Sequence, residues 1–371
     1  MSSGHRTAII GAGIVGLAHA WAASLRGDAV TVYERDFQAS GASVRNFGLG
    51  LVLGQPPGDL LDLARQSRQL WLEFFADSGC WHKAEGSLVV ARNAAELRVL
   101  EAFQEACGAQ YGTELLGSSG LAPHHVAGLG GLFSASEIAM DARQALVQLT
   151  HWLTERHGVV FEFGVQVNDI DVPHLETSRG RRAADEVVLC SGHDLQTLYP
   201  QHFAALGLRR CTLQMQRVAK AGLRLGPTLM TGLSTLHYAS FTECPALAEP
   251  LAALRREVAL REPALLEHGI HLIVQQVGHG GELIIGDSHA IGDATLPFNQ
   301  AVVDRLILEL AEHLLQWPLE VRERWQGVYA SGRRPYEVLH PAPAVQAVTI
   351  TSGIGMSIAP ALARRSLACC P

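Results

Sequence analysis

Three glycines near the N-terminus have a spacing that suits the binding of a diphosphate. The segment GAGIVG, Gly11 to Gly16, follows a predicted strand and opens a predicted helix, and Glu34 ends the next predicted strand. Gly11 permits a tight turn, Gly13 lets the backbone approach phosphates at the positive end of the helix, and Gly16 lets helix and strand pack closely. The Glu34 carboxylate can accept hydrogen bonds from a ribose diol. The pattern predicts a dinucleotide site and leaves NAD and FAD open.

A second candidate site is the pair Arg333 and Arg334, which stands between Gly332 and Pro335. A guanidinium presents a rigid fork of donors that matches the oxygens of a carboxylate or a phosphonate. Pro335 pushes the residue before it toward an extended conformation, and side chains of an extended segment alternate between two faces. The two arginines are therefore expected to diverge, with one on an anion and the other on an acidic partner or solvent. A surface ion pair for both is the alternative.

The elements that must position these residues follow from hydrophobic periodicity and turn residues. The pattern predicts a βαβ unit from strand 7–10, helix 14–25 and strand 30–33. A hairpin is predicted over 271–288, with Gly280 and Gly281 supplying its turn. Further helices are predicted at 60–75, 94–107 and 141–157, and further strands at 86–90, 159–170 and 185–192.

Composition excludes several classes of protein. The chain has 371 residues, a net charge of −7 and no long basic block, so nucleic acid is not expected as a partner. Seven cysteines without a CxxC pair argue against a disulfide framework and a structural zinc site, and they favour a cytoplasmic location. The apolar run 8–25 imitates a signal peptide or membrane anchor, but it contains His19 and the spaced glycines, so no membrane span is expected.

Histidine pairs are the remaining candidates for metal binding. His124 with His125, and His268 with His271, lie close together in the sequence, but neither pair has the carboxylate or cysteine spacing of a known site. The sequence therefore predicts no metal.

Six segments together resemble one family. They are GAGIVG with Glu34, SGASVRNFG (40–48), FGVQVNDI (163–170), VVLCSG (187–192), GRRP (332–335) and TSGIGMSIAPALA (351–363). Over nearly its whole length the chain resembles the amino-acid-oxidase branch of FAD-dependent oxidoreductases, the DAO family, which includes glycine oxidase and sarcosine oxidase. The resemblance implies FAD as the cofactor and an α/β fold with a Rossmann-like, GR2-type FAD-binding domain. An inserted α+β substrate domain, built on an antiparallel sheet, is expected to complete it.

The same resemblance implies domain boundaries and site residues. The FAD-binding domain is expected to comprise residues 1–84, 137–198 and 320–371, and the substrate domain residues 85–136 and 199–319. In the family's Gly-x-Arg-Pro pattern the arginine before proline grips the substrate anion, which corresponds to Arg334. Asn46, Gln55, Tyr238 and His289 are further candidates for lining the substrate pocket. The expected FAD contacts are Gly11, Gly13, Ile14, Val15, Gly16, Glu34, Arg35, Ser43, Arg45, Asn46, Phe47, Gly48, Val167, Ser191, Gly192, Gly332, Gly353, Gly355, Met356 and Ser357.

Four stretches are similar to a narrower subgroup, the FAD oxidoreductases associated with bacterial phosphonate degradation. They are SVRNFGLGLVLGQPPG, RQSRQLWLEF, GSLVV and GIHLIVQQVGHGGELIIGDSH. This similarity implies oxidation of the C–N bond of a small anionic amine, an N-substituted 2-aminoethylphosphonate, to phosphonoacetaldehyde. The alternatives are a glycine- or sarcosine-type oxidase that binds a carboxylate, and a flavin-binding module without turnover. The electron acceptor, oxygen or another, and the oligomeric state are left open.

Overall fold

The predicted βαβ unit is present at the N-terminus, as β1 (Arg6–Ile10), α1 (Ile14–Arg26) and β2 (Ala29–Glu34). A computed structural model describes residues 4–219, 222 and 224–368. β1 pairs in parallel with β2, so both strands end at the same edge of their sheet. The apolar run 8–25 is therefore a buried strand and the helix that follows it. Within the described residues, no helix is long and apolar enough to cross a membrane.

The remaining elements alternate between short strands and helices. The strands are β3 (Leu49–Gly50), β4 (His82–Lys83), β5 (Ser87–Ala91), β6 (Thr113–Gly117), β7 (Gly130–Ser134), β8 (Ile138–Met140), β9 (Val160–Phe163), β10 (Val167–Asp171), β11 (His174–Thr177), β12 (Gly180–Ala183), β13 (Glu186–Leu189), β14 (Arg209–Ala219), β15 (Thr228–Thr231), β16 (Ile273–Val277), β17 (Glu282–Gly286), β18 (Ala290–Gly292), β19 (Glu320–Ser331), β20 (Tyr336–Ala342) and β21 (Val345–Ile350). The helices are α2 (Asp59–Ser78), α3 (Ala94–Tyr111), α4 (Ser118–Leu121), α5 (Ala142–His157), α6 (Pro200–Ala204), α7 (Ala239–Thr242), α8 (Ala248–Arg261), α9 (Pro263–Glu267), α10 (Ala301–Leu315) and α11 (Gly355–Ala368).

A six-stranded sheet carries the glycine motif. Its order is β20-β21-β13-β1-β2-β9, and every neighbouring pair is parallel except β20 with β21. Strands β1, β13 and β21 are almost wholly buried, as expected for a parallel sheet covered on both faces. Helices α1 and α11 pack against each other, and α2 packs on α11.

A larger, mostly antiparallel sheet forms the second layer. Its order is β18-β14-β17-β16-β15-β5-β7-β6, with β19 paired to β14, and only β5 with β15 runs parallel. The mixed α/β fold with an antiparallel sheet confirms the predicted fold class. Strand β19, which the expected boundaries give to the FAD-binding domain, pairs along its length with β14 of this larger sheet.

The predicted hairpin is β16 and β17, and its register bears on the site described below. Ile273 pairs with Gly286 and Val277 with Glu282. Of the two turn glycines expected, Gly281 has a positive φ angle and Gly280 does not; the second positive φ angle of the turn is at Gly278. Cys80, Cys107, Cys190, Cys211 and Cys244 are free thiols, whereas Cys369 and Cys370 lie outside the described residues.

One buried carboxyl group joins the two layers. Glu137 is fully buried; its Oε1 accepts the N–H of Leu53 at 2.8 Å and its Oε2 accepts the hydroxyl of Ser87 at 2.9 Å. The loop after β3 is thereby fixed to the first strand of the larger sheet. Burial raises the pKa of Glu137, and the hydrogen bonds oppose the shift.

We expect Glu137→Gln to raise the melting temperature at about pH 8 and to change it little near pH 4.5. A carboxyl whose pKa is raised in the folded state takes up a proton on folding, so its contribution to the free energy of unfolding falls as the pH rises through the folded-state pKa. Thermal unfolding of Glu137→Gln and of the exposed control Glu73→Gln across this range checks the expectation. An equal loss of stability for Glu137→Gln at both ends of the range would contradict it.

Candidate functional site: a cavity between the two sheets

Two adjoining cavities form one elongated site. The sheet-edge cavity lies where β1, β2 and β13 end. The inter-sheet cavity lies between the starts of α1 and α11 on one side and β14, β16 and β19 on the other. Both are lined by the 3₁₀ turn Ala42–Val44, by the residue after it and by the loop after β13. The shared residues are Ala42, Ser43, Arg45, Gly192 and His193. The site therefore runs from the edge of the parallel sheet to the face of the larger one.

The first and third glycines of the motif are required by close backbone contacts. Gly11 has a φ of 106°, and a Cβ there would lie 2.5 Å from the carbonyl oxygen of Cys190. A Cβ at Gly16 would lie 1.8 Å from the carbonyl oxygen of Gly11. Both distances are far below van der Waals contact, so any larger residue would push α1 away from β1 and β13. These glycines bring the start of α1 against the sheet.

Two helix N-termini face the cavities. Gly13 caps α1 without a side-chain hydrogen bond, and the hydroxyl of Ser43 accepts the N–H of Ile14 at 2.9 Å. α11 begins at Gly355, where a Cβ would come 3.2 Å from Ile14 Cγ2. Each N-terminus carries partial positive charge and unsatisfied N–H groups. Together they form a site for a diphosphate and for an electron-rich ring beside it.

The sheet-edge cavity fits an adenosine ribose. Glu34 Oε2 accepts the N–H of Ala12 at 2.8 Å and its Oε1 accepts the N–H of Asp36 at 3.0 Å. An ionised carboxylate has about four lone-pair sites, so acceptors remain for a ribose diol. Val167 also lines this cavity, as do Arg35 and Ser191.

The structure places nearly all expected FAD contacts on the two cavities. The exceptions are Gly16, Gly48 and Gly332, which line neither. Gly48 has a φ of 70° and no room for a Cβ beside the Met140 carbonyl, so it shapes the loop. Gly332 packs against Leu208, where a Cβ would lie 2.6 Å from Cδ2. These three glycines hold the surrounding backbone in place. The diphosphate cradle, the ribose acceptor and the apolar inter-sheet walls fit FAD.

The pocket candidates divide into lining and supporting residues. Asn46, Tyr238 and His289 line the inter-sheet cavity. The Asn46 amide donates to the carbonyls of Ala42 and Ser43, both at 2.9 Å, and its oxygen accepts the N–H of Gly48, so its polar atoms hold the loop. Gln55 does not line the cavity: it is buried and donates to the Leu51 carbonyl.

Arg334 lies outside the residues that line the inter-sheet cavity. Its side chain is 76% exposed and pairs with Glu337 at 3.1 Å. Residues 333–335 form a bend, so the alternation of faces expected for an extended segment does not apply. The bend is held by Thr351 and Ser352, whose hydroxyls donate to the carbonyls of Arg334 and Pro335. Among the described residues, Arg45 is the arginine that lines the cavity, and the contact expected between Arg334 and a substrate anion stays a prediction.

At the polar end of the cavity, sequence reasoning named His289 but missed His237, His271 and Asp287. His237, His271 and His289 offer one ring nitrogen each within 4.8 Å of one another, among the described residues. Asp287 lies beside them, 3.5 Å from His271 Nε2 and 3.8 Å from His289 Nε2. His271 was paired with His268 by proximity in sequence, but the hairpin register places it across from Asp287 and His289. The hairpin, which the sequence does predict, was the signal available.

Desolvation governs the protonation of this group. Burial lowers the pKa of His289 to about 4 and that of His271 well below its usual value. His237 has the more accessible ring because it faces the cavity, yet the surrounding protein lowers its pKa to about 3. Burial raises the pKa of Asp287 well above its ordinary value. The three rings are therefore neutral near pH 7.

Comparison with known proteins agrees with this geometry. The fold and the two cavities define an FAD-binding oxidoreductase. The family model described as DAO, FAD dependent oxidoreductase, matches residues 6–366, so the chain belongs to this family and its cofactor is FAD. No curated protein sequence matches the chain.

Several solved structures share the fold. Glycine oxidase from Bacillus cereus ATCC 14579 has a TM-score of 0.76 at 19% identity, over 98% of this chain and 93% of that one. L-α-glycerophosphate oxidase from Mycoplasma pneumoniae, with FAD bound, has a TM-score of 0.72 at 16% identity, over 99% and 94%. Iminodiacetate oxidase from Chelativorans sp. BNC1 has a TM-score of 0.71 at 14% identity, over 99% and 96%.

We expect Gly16→Ala to lose most of its bound FAD, because the added Cβ meets the Gly11 carbonyl and displaces the start of α1. Gly27→Ala, at the other end of the same helix, is the matched control. Its φ of 94° makes alanine strained by roughly 1–3 kcal/mol, but the Cβ has open space. Flavin absorbance per chain after purification is the measurement. Full FAD content in Gly16→Ala would contradict the steric account.

Proposed function

We propose that the protein oxidises the C–N bond of a small anionic amine. The observation that carries this proposal is the lining of the inter-sheet cavity. Among its described lining residues it has one arginine, Arg45, and one acidic side chain, Asp287, on otherwise largely apolar or neutral walls. A small zwitterion has the complementary pair of charges. A positive and a negative protein group in one cavity would fix the orientation of such a substrate, and they would contribute more to specificity than to affinity.

The chain's own groups have three tasks in this reaction. FAD, when bound, supplies the chemistry by taking up the two electrons removed from the substrate. The cavity walls would hold the reacting carbon in an aligned pose, because reacting atoms must approach each other to about 3–3.5 Å. The N–H groups at the start of α11 stabilise negative charge that develops beside them. Arg45 holds the anionic end of the substrate.

The atoms balance without a covalent bond to the protein. Oxidation removes two electrons and two protons from the substrate's H–C–N–H unit and leaves an imine. Water then adds to the carbon of the imine, and the C–N bond breaks to give an aldehyde and an amine. The protein therefore needs no nucleophile for this chemistry.

The substrate we propose is a 2-aminoethylphosphonate with an N-substituent, which would yield phosphonoacetaldehyde. Its support is the similarity of four sequence stretches to the phosphonate-associated subgroup, together with Arg45 in the cavity lining, because a guanidinium suits a phosphonate. The alternative is a glycine- or sarcosine-type amino acid, with a carboxylate on the same arginine. Glycine oxidase and iminodiacetate oxidase share the fold, and so does glycerophosphate oxidase, so the fold does not choose among these substrates.

Anaerobic mixing of the yellow protein with a panel of compounds tests the proposal. We expect flavin absorbance to bleach with N-methyl-2-aminoethylphosphonate and to remain with glycine, sarcosine and glycerol 3-phosphate. Bleaching by the carboxylates alone would support the amino-acid alternative. Bleaching by none of them would favour a flavin-binding module without turnover.

We expect Arg45→Met to raise the KM for the anionic amine by about 10- to 100-fold, since a hydrogen bond to a charged group contributes roughly 1.5–3 kcal/mol. Arg334→Met is the matched control, because this arginine is exposed and paired with Glu337 outside the cavity. We expect it to change KM by less than about twofold, as for an exposed ion pair. Steady-state kinetics and FAD content of both variants are the measurements. A large KM effect confined to Arg334→Met would overturn the assignment.

A further inference from the structure

The polar end of the inter-sheet cavity is a group of four side chains, which we call the Asp287 cluster: His237, His271, Asp287 and His289. His271 precedes β16, and Asp287 and His289 follow β17. The N–H of Asp287 donates to the carbonyl of His271 at 3.1 Å, so the antiparallel register fixes the two together. His237 stacks on His271 and packs at a tilt against His289, with ring centroids 4.3 Å apart in each case. All four residues line the cavity.

Two buried atoms of this cluster have no hydrogen-bond partner among the described residues. They are His271 Nε2 and Asp287 Oδ1. Both residues are at least 95% buried, and the two atoms lie 3.5 Å apart without forming a hydrogen bond. A buried polar atom without a partner costs about 1–3 kcal/mol, so native structures rarely leave one without a function. Two such atoms on one cavity wall indicate a ligand that satisfies them.

The orientation of His289 shows which kind of partner is missing. Its Nδ1 lies 3.1 Å from the carbonyl oxygen of Gly269, which can only accept, so Nδ1 must carry the proton. In the neutral ring Nε2 then carries a lone pair and can only accept, and it lies 3.8 Å from Asp287 Oδ2. When Asp287 is ionised, two acceptors face each other with no proton between them. In that state the contact between His289 and Asp287 lacks a hydrogen-bond donor.

An ammonium group is the donor that the proposed function provides. It carries N–H groups that lone pairs can accept and a positive charge that suits Asp287, the single acidic residue among the described residues lining this cavity. The same ammonium must lose a proton before its C–N bond can be oxidised, because only the neutral amine has a lone pair to stabilise the electron-poor carbon. Binding and deprotonation are therefore needed at one place.

Building on the proposed function, we propose that the Asp287 cluster binds the amine end of the substrate and that Asp287 holds its proton while the C–N bond is oxidised. The N–H bond of the ammonium breaks, its electron pair stays on nitrogen, and the proton bonds to a carboxylate oxygen of Asp287. His271 and His289 position the carboxylate and accept the remaining N–H groups. No redox partner takes part in this step.

The proton ends on Asp287 because of the surroundings of each group. Burial raises the pKa of Asp287 and lowers those of the three histidines, so the carboxylate is the preferred acceptor. The other titratable groups packed around the cluster keep their protons, since burial raises the pKa of Cys211 on β14 to about 11 and raises those of Tyr238 and Tyr329 further.

A proton count predicts the pH dependence. The reactive complex contains one proton shared by the amine and Asp287, whichever group carries it before binding. When the free protein has Asp287 protonated and the substrate is an ammonium, there is one proton too many, so kcat/KM falls at low pH. When both are deprotonated there is one too few, so kcat/KM falls above the pKa of the amine. The wild-type lower limb therefore belongs to the protein and should not move when the amine is changed.

Asp287→Asn is the decisive variant, because the amide resembles the carboxyl in its protonated state and cannot take up a proton. It should bind only the neutral amine, whose fraction near pH 7 is about 10⁻³ for an amine with a pKa near 10. We expect the variant's kcat/KM to rise about 10³-fold from pH 7 to pH 10, in proportion to that fraction, and to show no fall above the pKa of the amine. The lower limb should then follow the pKa of each amine tested.

The matched control is Asp293→Asn, since Asp293 is exposed and pairs with Arg209 outside the cavity. Its pH profile should equal that of wild type. FAD content and thermal unfolding of each variant show whether it folds. Should Asp287→Asn fail to fold, the wild-type lower limb measured with amines of different pKa decides: a limb that tracks the amine overturns the assignment.

Two further outcomes would overturn it. One is an Asp287→Asn profile that is lowered equally at every pH, which indicates a structural role. The other is a stoichiometric divalent metal in the purified protein, found by elemental analysis, because a metal ion would occupy the same lone pairs. If the anionic amine bleaches the flavin but the pH profiles differ from those expected above, this inference is rejected and the proposed function stands. Absence of bleaching with every amine would reject the proposed function itself.

Discussion

The contact between the start of α1 and the carboxyl ends of β1 and β13 is the constraint on which the site depends. With no side chains at Gly11 and Gly16, the first turn of the helix meets the strand backbone directly. The start of α11 then packs against Ile14 at the same place. One contact thus fixes where two helix N-termini point. Because the cofactor's negative charge must lie there, the position of the inter-sheet cavity follows from it.

The larger sheet contributes chemistry to a cavity that the parallel sheet positions. Its strands bring apolar walls from β14, β16 and β19, and the hairpin of β16 and β17 adds His271, Asp287 and His289. Antiparallel pairing places residues far apart in sequence across from one another with fixed register.

Local patterns explain what the sequence could predict. The glycine motif with Glu34 depends on neighbouring residues and on one strand-helix-strand unit, so both the unit and the FAD family were predictable. The grouping of His237 with the hairpin histidines depends on a tertiary contact between distant segments, and no local pattern encodes it. The segment around Arg334 was expected to be extended, but Thr351 and Ser352 hold its backbone in a bend through contacts that no local pattern encodes. Gln55 was misplaced because its amide serves the fold of its own loop.

The orientation of cofactor and substrate between the two sheets can be measured in a crystal structure of the FAD-bound protein with an unreactive anionic amine. We expect the ribose at Glu34, the diphosphate at the start of α1 and the flavin ring in the inter-sheet cavity beside α11. The amine nitrogen should lie within hydrogen-bond distance of Asp287, with the anionic group on Arg45. A flavin ring outside the inter-sheet cavity, or a ligand bound with its anionic group on the Asp287 cluster, would contradict it.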